Sequence, residues 1–477
     1  MSARPTFREW FRGVTFAVSL ALGACTMAPR YEQPAAPVPA EFEHTDVGST
    51  AVPVAPPAGD IGWKEFFPDP ELQDLLARAL ANNRDLRIAT LNVEAARAQY
   101  RIQRADLMPA IDAQGSSTNA RVPASLSQTG QSELSRTYSA GFGVSAFELD
   151  LFGRVRSLRR AALEDYFRLE ETRTAAQLVL VSEVANAWLT LIADRELLRL
   201  ALETRDSQRK SYDLTKMRFD AGVSSEMDLH RSETPWREAE VDIAQQTRRV
   251  AQDRNALALL VGEPLRADIA SGEHAIDAQT FSKTLPAGIP AELLVRRPDV
   301  RAAEHALKAA NADIGAARAA FFPSIELTGF YGQASDDLSA LFQSGHTAWS
   351  FTPQVHLPIF SGGRNLATLD LANVRKRIEI AHYEQSIQIA FREVADALVT
   401  RATLDDQLRA QEALTRASDS SYRLADQRYR GGVDSYLSAL IAQRDLYTAQ
   451  RQLIVTRLAG AVNLVQLYTT LGGGWKE

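Results

Sequence analysis

The chain of 477 residues has one cysteine, Cys25, so no intramolecular disulfide can form. It has no excess of positive charge. Its 53 Lys and Arg stand against 59 Asp and Glu, a net charge of −6, which argues against a nucleic-acid partner. Its histidines (His44, His230, His274, His305, His346, His356, His382) are scattered without metal-ligand spacing, and there is no Gly-Lys-Ser/Thr phosphate loop. No catalytic constellation and no cofactor motif is present, so the sequence is read as that of a non-enzyme. The most informative absence is that of proline and glycine. Neither occurs from Arg154 to Ala221, 68 residues, or from Arg364 to Arg430, 67 residues. At 1.5 Å per residue such a helix is about 100 Å long, more than an ordinary globular domain holds.

At the N-terminus, Arg4, Arg8 and Arg12 precede a short apolar run, Val14 to Ala24, that cannot span a bilayer; residues 1–24 read as a signal peptide. Its removal takes the net charge to about −8. The run ends Leu22-Gly23-Ala24-Cys25, which resembles a bacterial lipobox. That resemblance implies cleavage before Cys25, acylation of its thiol and amine, and export; Thr26, where an Asp would retain the protein, implies the outer membrane. An ordinary signal peptide with a free cysteine is the alternative. Residues 25–62, Pro-rich from Pro29 to Pro57, read as a lipidated, extended tether.

The remainder is a tandem repeat. A shift of 210 residues lays Ser211, Tyr212, Leu214, Arg218, Gly222 and Val223 on Ser421, Tyr422, Leu424, Arg428, Gly432 and Val433. A shift of 214 lays Asn83–Ala89 on Arg297–Ala303 and Met108–Ile111 on Phe322–Ile325. Two halves, 63–262 and 285–474, joined by a linker at 263–284, follow one plan: helix, two strands, very long helix, tight turn, long helix. Leu178, Val181, Val184, Trp188, Leu191 and Leu198 give the long helix a near-heptad stripe, and Trp63 and Trp188 read as packing anchors. Gly222 and Gly432 suit the left-handed residue that ends a helix. Val223 and Val433 can fold back on the preceding turn, and Ser224, Ser225, Asp434 or Ser435 can cap the next helix. A simple turn leaves unexplained why Arg218-Phe219 and Arg428-Tyr429 stand at both tips.

Strands are expected at 109–119, 139–152, 323–331 and 349–359, with polar loops at 121–137 and 335–347. Trp349, Phe351, Pro353, Val355, Leu357 and Ile359 alternate with polar residues. The first pair alternates less clearly, and its phase slips near Ser145-Ala146. Strands apolar on one face in an exported protein point to a membrane barrel, which must close on itself. Four strands are too few, so others come from further copies; eight or twelve are both consistent with the pattern.

Several segments together resemble the lipoprotein branch of the TolC-type outer-membrane factors. They are MAPRYEQP (27–34), WKEFFPDPELQDLLARALANNRDL (63–86), FELDLFGRVR (147–156), LPAGIPAELLVRRPDV (285–300), PIFSGGR (358–364), RYRGGVDSYL (428–437) and LYTTLGGGW (467–475). The resemblance implies an α+β fold: four strands given by each chain to a trimeric 12-strand transmembrane barrel, continuous with a long periplasmic α-helical barrel. It implies a homotrimer in outer-membrane lipid, working with a periplasmic adaptor and an inner-membrane pump to export drugs or toxic compounds. A polypeptide-secretion channel of the same fold and a structural envelope lipoprotein are the alternatives. The tips (Arg218, Phe219, Gly222, Val223, Ser224; Arg428, Gly432, Val433) are expected to meet the adaptor. A periplasmic gate is expected from Leu437, Arg444, Tyr429, Arg428 and Asp434. Relatives commonly read Leu-Asp-Ala-Gln-Arg where this chain has Leu440-Ile441-Ala442-Gln443-Arg444, so Arg444 either finds another acid, Asp445 or Asp434, or stays solvated.

Overall fold

The structure, a computed structural model, describes residues 26–39, 61–127, 130–270, 276, 281 and 296–475. The signal peptide and Cys25, most of the tether and most of the 263–284 linker lie outside the described residues. In order come α1 (Trp63–Phe66), α2 (Pro70–Asn82), α3 (Arg84–Ala105), β1 (Ile111–Val122), β2 (Glu133–Leu149), α4 (Arg154–Asp220) and α5 (Glu226–Val261). The second half gives α6 (Pro298–Ala319), β3 (Ser324–Ser335), β4 (Thr347–His356), α7 (Arg364–Arg430) and α8 (Tyr436–Thr470). Both α4 and α7 have 67 residues and stop where their Pro- and Gly-free runs stop. The chain divides into two compact units, one of residues 1–35, 93–169 and 303–383, the other of 36–92, 170–302 and 384–477.

Among the described residues the first unit holds one antiparallel sheet in the order β1-β2-β3-β4, in which β1 and β4 are both open edges. Ala113, Phe142, Tyr331 and Trp349 lie in one row across the four strands, and Gly329 and Leu327 face Phe351 and Pro353 on the same side. This face is bare: Phe142, Tyr331, Trp349 and Phe351 are 60–74% exposed. The opposite face carries Asp112, Ser116, Thr328, Ser350, Thr352 and Gln354. The phase slip at Ser145-Ala146 is a bulge. Pairing shifts between Val144 and Phe147, and Ala146 takes φ 49° while its N–H donates to the Thr328 hydroxyl at 3.3 Å. The strands differ in extent from the sequence pattern. β2 starts at Glu133 and β3 runs to Ser335, because the backbone ladder continues through Ser, Thr and Arg where apolar alternation has ended. The first loop therefore shrinks to 123–132, and β4 ends at His356, short of Ile359.

In the same unit residues 27–33 lie along α6. Arg318 donates to the Met27 carbonyl at 3.4 Å, Asn311 to that of Pro29 at 2.8 Å, and the Tyr31 hydroxyl to Glu304 at 3.0 Å. Gln33 donates to the Tyr383 hydroxyl at 2.8 Å. Only glycine fits at 315, where a Cβ would stand 2.7 Å from the Ala28 nitrogen. Burial, and then the Glu304 carboxylate, push the Tyr31 phenol well above its usual value. This part of the expected tether is thus a docked strap.

The core of the second unit joins α1 and α2 to the middle of α4 and the ends of α5 and α8. Trp63, Phe66, Leu72, Leu75, Val181, Val184, Trp188, Val261, Val465 and Tyr468 are all within 1% of full burial. Phe66 stacks on Tyr468 at 3.9 Å, and the Trp188 indole donates at 3.1 Å to Asp69, whose other oxygen caps α2. Within the expected stripe Leu198 is only half-buried, and Leu197 takes the interior place. An 18-residue window of α4 reaches mean hydropathy 1.5, with half of it buried in the protein; such a stretch serves a core helix as well as a span.

Candidate functional site

The two hairpin tips have the same backbone. Gly222 (φ 75°) and Gly432 (φ 72°) are in the left-handed region. The Gly222 N–H donates to Phe219 C=O and the Val223 N–H to Arg218 C=O at 2.8 and 2.9 Å; Gly432 to Tyr429 and Val433 to Arg428 repeat this at 3.0 and 2.9 Å. These paired bonds form a Schellman motif and satisfy carbonyls that the helix end leaves open. Val223 and Val433 stay about 70% exposed, so the turns are held by backbone bonds rather than by valines folding back. Of the capping candidates Ser225 is used, its hydroxyl accepting from the Asp228 N–H at 3.1 Å. Ser224 is not the cap. In the second tip Ser435 holds the N-cap position without its side chain capping a helix N–H, and Asp434 accepts from the Ser435 N–H at 2.8 Å and the Ser438 hydroxyl at 3.1 Å. The Ser435 N–H first, then Ser438 and Arg428, hold the Asp434 carboxyl below the usual carboxylate range.

The arginine-aromatic pairs do more than end helices. Arg218 donates to the Tyr429 hydroxyl at 3.1 Å and stands 5.6 Å from the centre of its ring, joining the first tip to the second. Arg428 instead turns to Asp434 at 3.3 Å on its own tip. Tyr429 packs on Tyr436 with ring centres 5.3 Å apart, and burial pushes the Tyr436 phenol up to about 12. Phe219 is 37% exposed.

Further along, Gln443 donates to the Ser207 hydroxyl at 3.2 Å and the Tyr447 hydroxyl to Asp242 at 2.8 Å, with Arg451 3.5 Å from the same carboxylate. Burial and then Asp242 raise the Tyr447 phenol far above its usual value. The second of these ties lines a groove of about 620 Å³ whose lining also includes Pro235, Val241, Leu437, Ile441 and Arg444. Leu437 and Ile441 are 43% and 44% exposed. Arg444 is exposed and makes no ion pair among the described residues; Asp434 is taken by Arg428, and Asp445 is exposed. The structure therefore brings Arg218, Arg428, Tyr429 and Asp434 together and leaves Arg444 apart from them. Tyr447, Asp242 and Tyr436 were not singled out in the sequence. The Asp242 counterpart in the repeat is Gln452, so the duplication gives no signal for the tie.

A pair of helical hairpins with matched tips and a sheet apolar on one bare face define a membrane-channel subunit. The outer membrane efflux protein model matches residues 75–263 and 289–473, and the chain belongs to that family. It is 49% identical over 456 residues to the toluene efflux pump outer membrane protein TtgC of Pseudomonas putida, spanning 96% of this chain and 94% of the relative. It is 44% identical over 462 residues to the outer membrane protein OprJ of Pseudomonas aeruginosa, spanning 96% and 95%. Among solved structures, a membrane protein from Pseudomonas aeruginosa matches with 42% identity and a TM-score of 0.87, over 94% of this chain and all of that one. The open state of the MtrE outer membrane channel of Neisseria gonorrhoeae matches with 42% identity and a TM-score of 0.86, over 95% and 99%.

Proposed function

We propose that this chain is the outer-membrane exit duct of a tripartite efflux system for drugs or other toxic small molecules. The observation that carries it is the sheet. It has an apolar face bare to the outside, a polar face opposite, and two unpaired edges. Unpaired backbone groups cost several kcal/mol each in lipid, so β4 of one copy must pair with β1 of another. Three copies bring the sheet from four strands to twelve, wider than the roughly eight-strand barrel whose interior side chains fill. Long helices follow β2 and β4, and their hairpin tips are the surfaces offered to a periplasmic adaptor and, through it, an inner-membrane pump. Relatives named for toluene and antibiotic efflux support small-molecule cargo over polypeptide. Deleting the gene should sensitise its host to several unrelated toxic compounds while leaving polypeptide secretion intact; lost secretion with unchanged resistance reverses the reading.

The strap supports acylation at Cys25. Met27 is held at the C-terminal end of α6, a few residues from the start of β3, and Cys25 precedes it by two positions in the sequence. Two acyl chains there would add a stable anchor. Mass spectrometry of the mature N-terminus should find Cys25 modified, and an unmodified Cys25 refutes the anchor.

A further inference from the structure

α5 runs unbroken through Pro235, which has no N–H for the Arg231 carbonyl and whose ring crowds that carbonyl. Two side chains of the same turn bond back onto the helix: the Ser232 hydroxyl to Leu229 C=O at 2.7 Å and that of Thr234 to His230 C=O at 3.0 Å. Such bonds bend helices. The repeat places Asp445 at the matching point of α8, which has no proline. The weak turn therefore belongs to the first hairpin alone. It also has space beside it, because Pro235, Thr234 and Glu238 line the groove of about 620 Å³ against Leu437 and Ile441. Polar ties bracket it. On the tip side Arg218 holds Tyr429, and on the far side Asp242 holds Tyr447.

We propose that Pro235 is a hinge at which Glu226–Thr234, with the first tip, swings into this groove when the Arg218–Tyr429 tie is released. The two hairpins of one chain then open unequally, although they descend from one repeat. The far side of α5 stays fixed by Asp242. In its consequence for passage this rests on the duct reading; in its mechanics it does not.

The test uses the full-length assembled protein in four forms: wild type, Arg218→Ala, Pro235→Ala and the double variant. Hydrogen exchange is followed by mass spectrometry along α5. Losing the hydrogen bond and the ring contact in Arg218→Ala should speed amide exchange in Glu226–Thr234 by roughly fivefold or more and leave Gln246–Val261 unchanged. Adding Pro235→Ala restores the backbone bond and should abolish the increase. Single-channel conductance in planar bilayers should follow the same order. A faster exchange spread evenly along α5, or one that survives in the double variant, overturns the hinge. A hinge-like exchange pattern in a protein that never conducts overturns the duct reading and leaves the hinge standing.

Discussion

The guanidinium of Arg218 donates to the hydroxyl of Tyr429 at 3.1 Å and also lies 5.6 Å from the centre of its ring, a contact between residues 211 apart in the chain. Two interactions of different kind share one pair, so they can be separated by mutation. Tyr429→Phe removes the hydrogen bond, worth about 0.5–1.5 kcal/mol net, and keeps the ring. Arg218→Ala removes that bond and the cation–π contact, about 0.5–1 kcal/mol more at an exposed site. If the tie holds the tips closed, conductance in planar bilayers without adaptor should rise in both variants, and more in Arg218→Ala. Equal, unchanged conductance in the two would place closure elsewhere.

The tips were legible in the sequence and the ties between them were not. Gly222 and Gly432 punctuate runs that otherwise lack proline and glycine, and a helix end is a local event that composition records. The bulge at Ala146 was likewise visible, because one extra residue breaks a period of two. Strand lengths were not. Arg136-Thr137 on β2 and Gln333-Ala334 on β3 are in register with strand partners without apolar alternation to mark them. Nor were the partners of Arg218 and Tyr447, which lie on the other hairpin and are set by how the hairpins pack. Arg444 shows the same limit. Its loss of a neighbouring acid is plain from Ile441, but that it is solvated within the chain is a tertiary fact.

Asp253 on α5 makes part of the hairpin pH-dependent. Burial first, and then the Asp194 carboxylate of α4, raise its folded-state value to about 6. A carboxyl raised on folding contributes stability that is full below its unfolded value of about 3.9 and lost as pH rises through the folded value. Thermal unfolding should therefore come at a higher temperature at pH 5 than at pH 7.5. Asp253→Asn should raise the pH 7.5 value and flatten the difference. A wild-type protein whose midpoint is the same across that range would show that the burial of Asp253 beside Asp194 does not bear on folding.

Gly432 has nothing within 4 Å of the place where a Cβ would be, so substitution there meets strain and no clash. Alanine in the left-handed region costs about 1–2 kcal/mol, asparagine less, and proline cannot enter it at all. Crosslinking to the adaptor in cell envelopes should accordingly fall in the order wild type, Gly432→Asn, Gly432→Ala, Gly432→Pro. Were Gly432→Pro to crosslink and export as wild type does, the tips would not be the docking surface.

In the segment proposed as a gate, Ile441 stands where the resemblance to the TolC-type family implies an acid. Leu437 and Ile441 are each a little over 40% exposed and face the same groove as Arg444, which has no ion-pair partner among the described residues. Ile441→Asp puts a carboxylate three residues before that arginine. If the new acid pairs only along its own helix, the gain is about 0.2–0.5 kcal/mol and closure is unaffected. If it reaches Arg444 of a neighbouring copy, a charge-assisted bond of roughly 1.5–3 kcal/mol, reduced by water in the pore, ties the copies together and conductance falls. Leu437→Ala removes apolar contact at the same level and should raise conductance. The pair of variants thus tests position and mechanism separately. Opposite shifts identify an inter-chain constriction at this level of α8, whereas no change in either moves the constriction to another level of the helices.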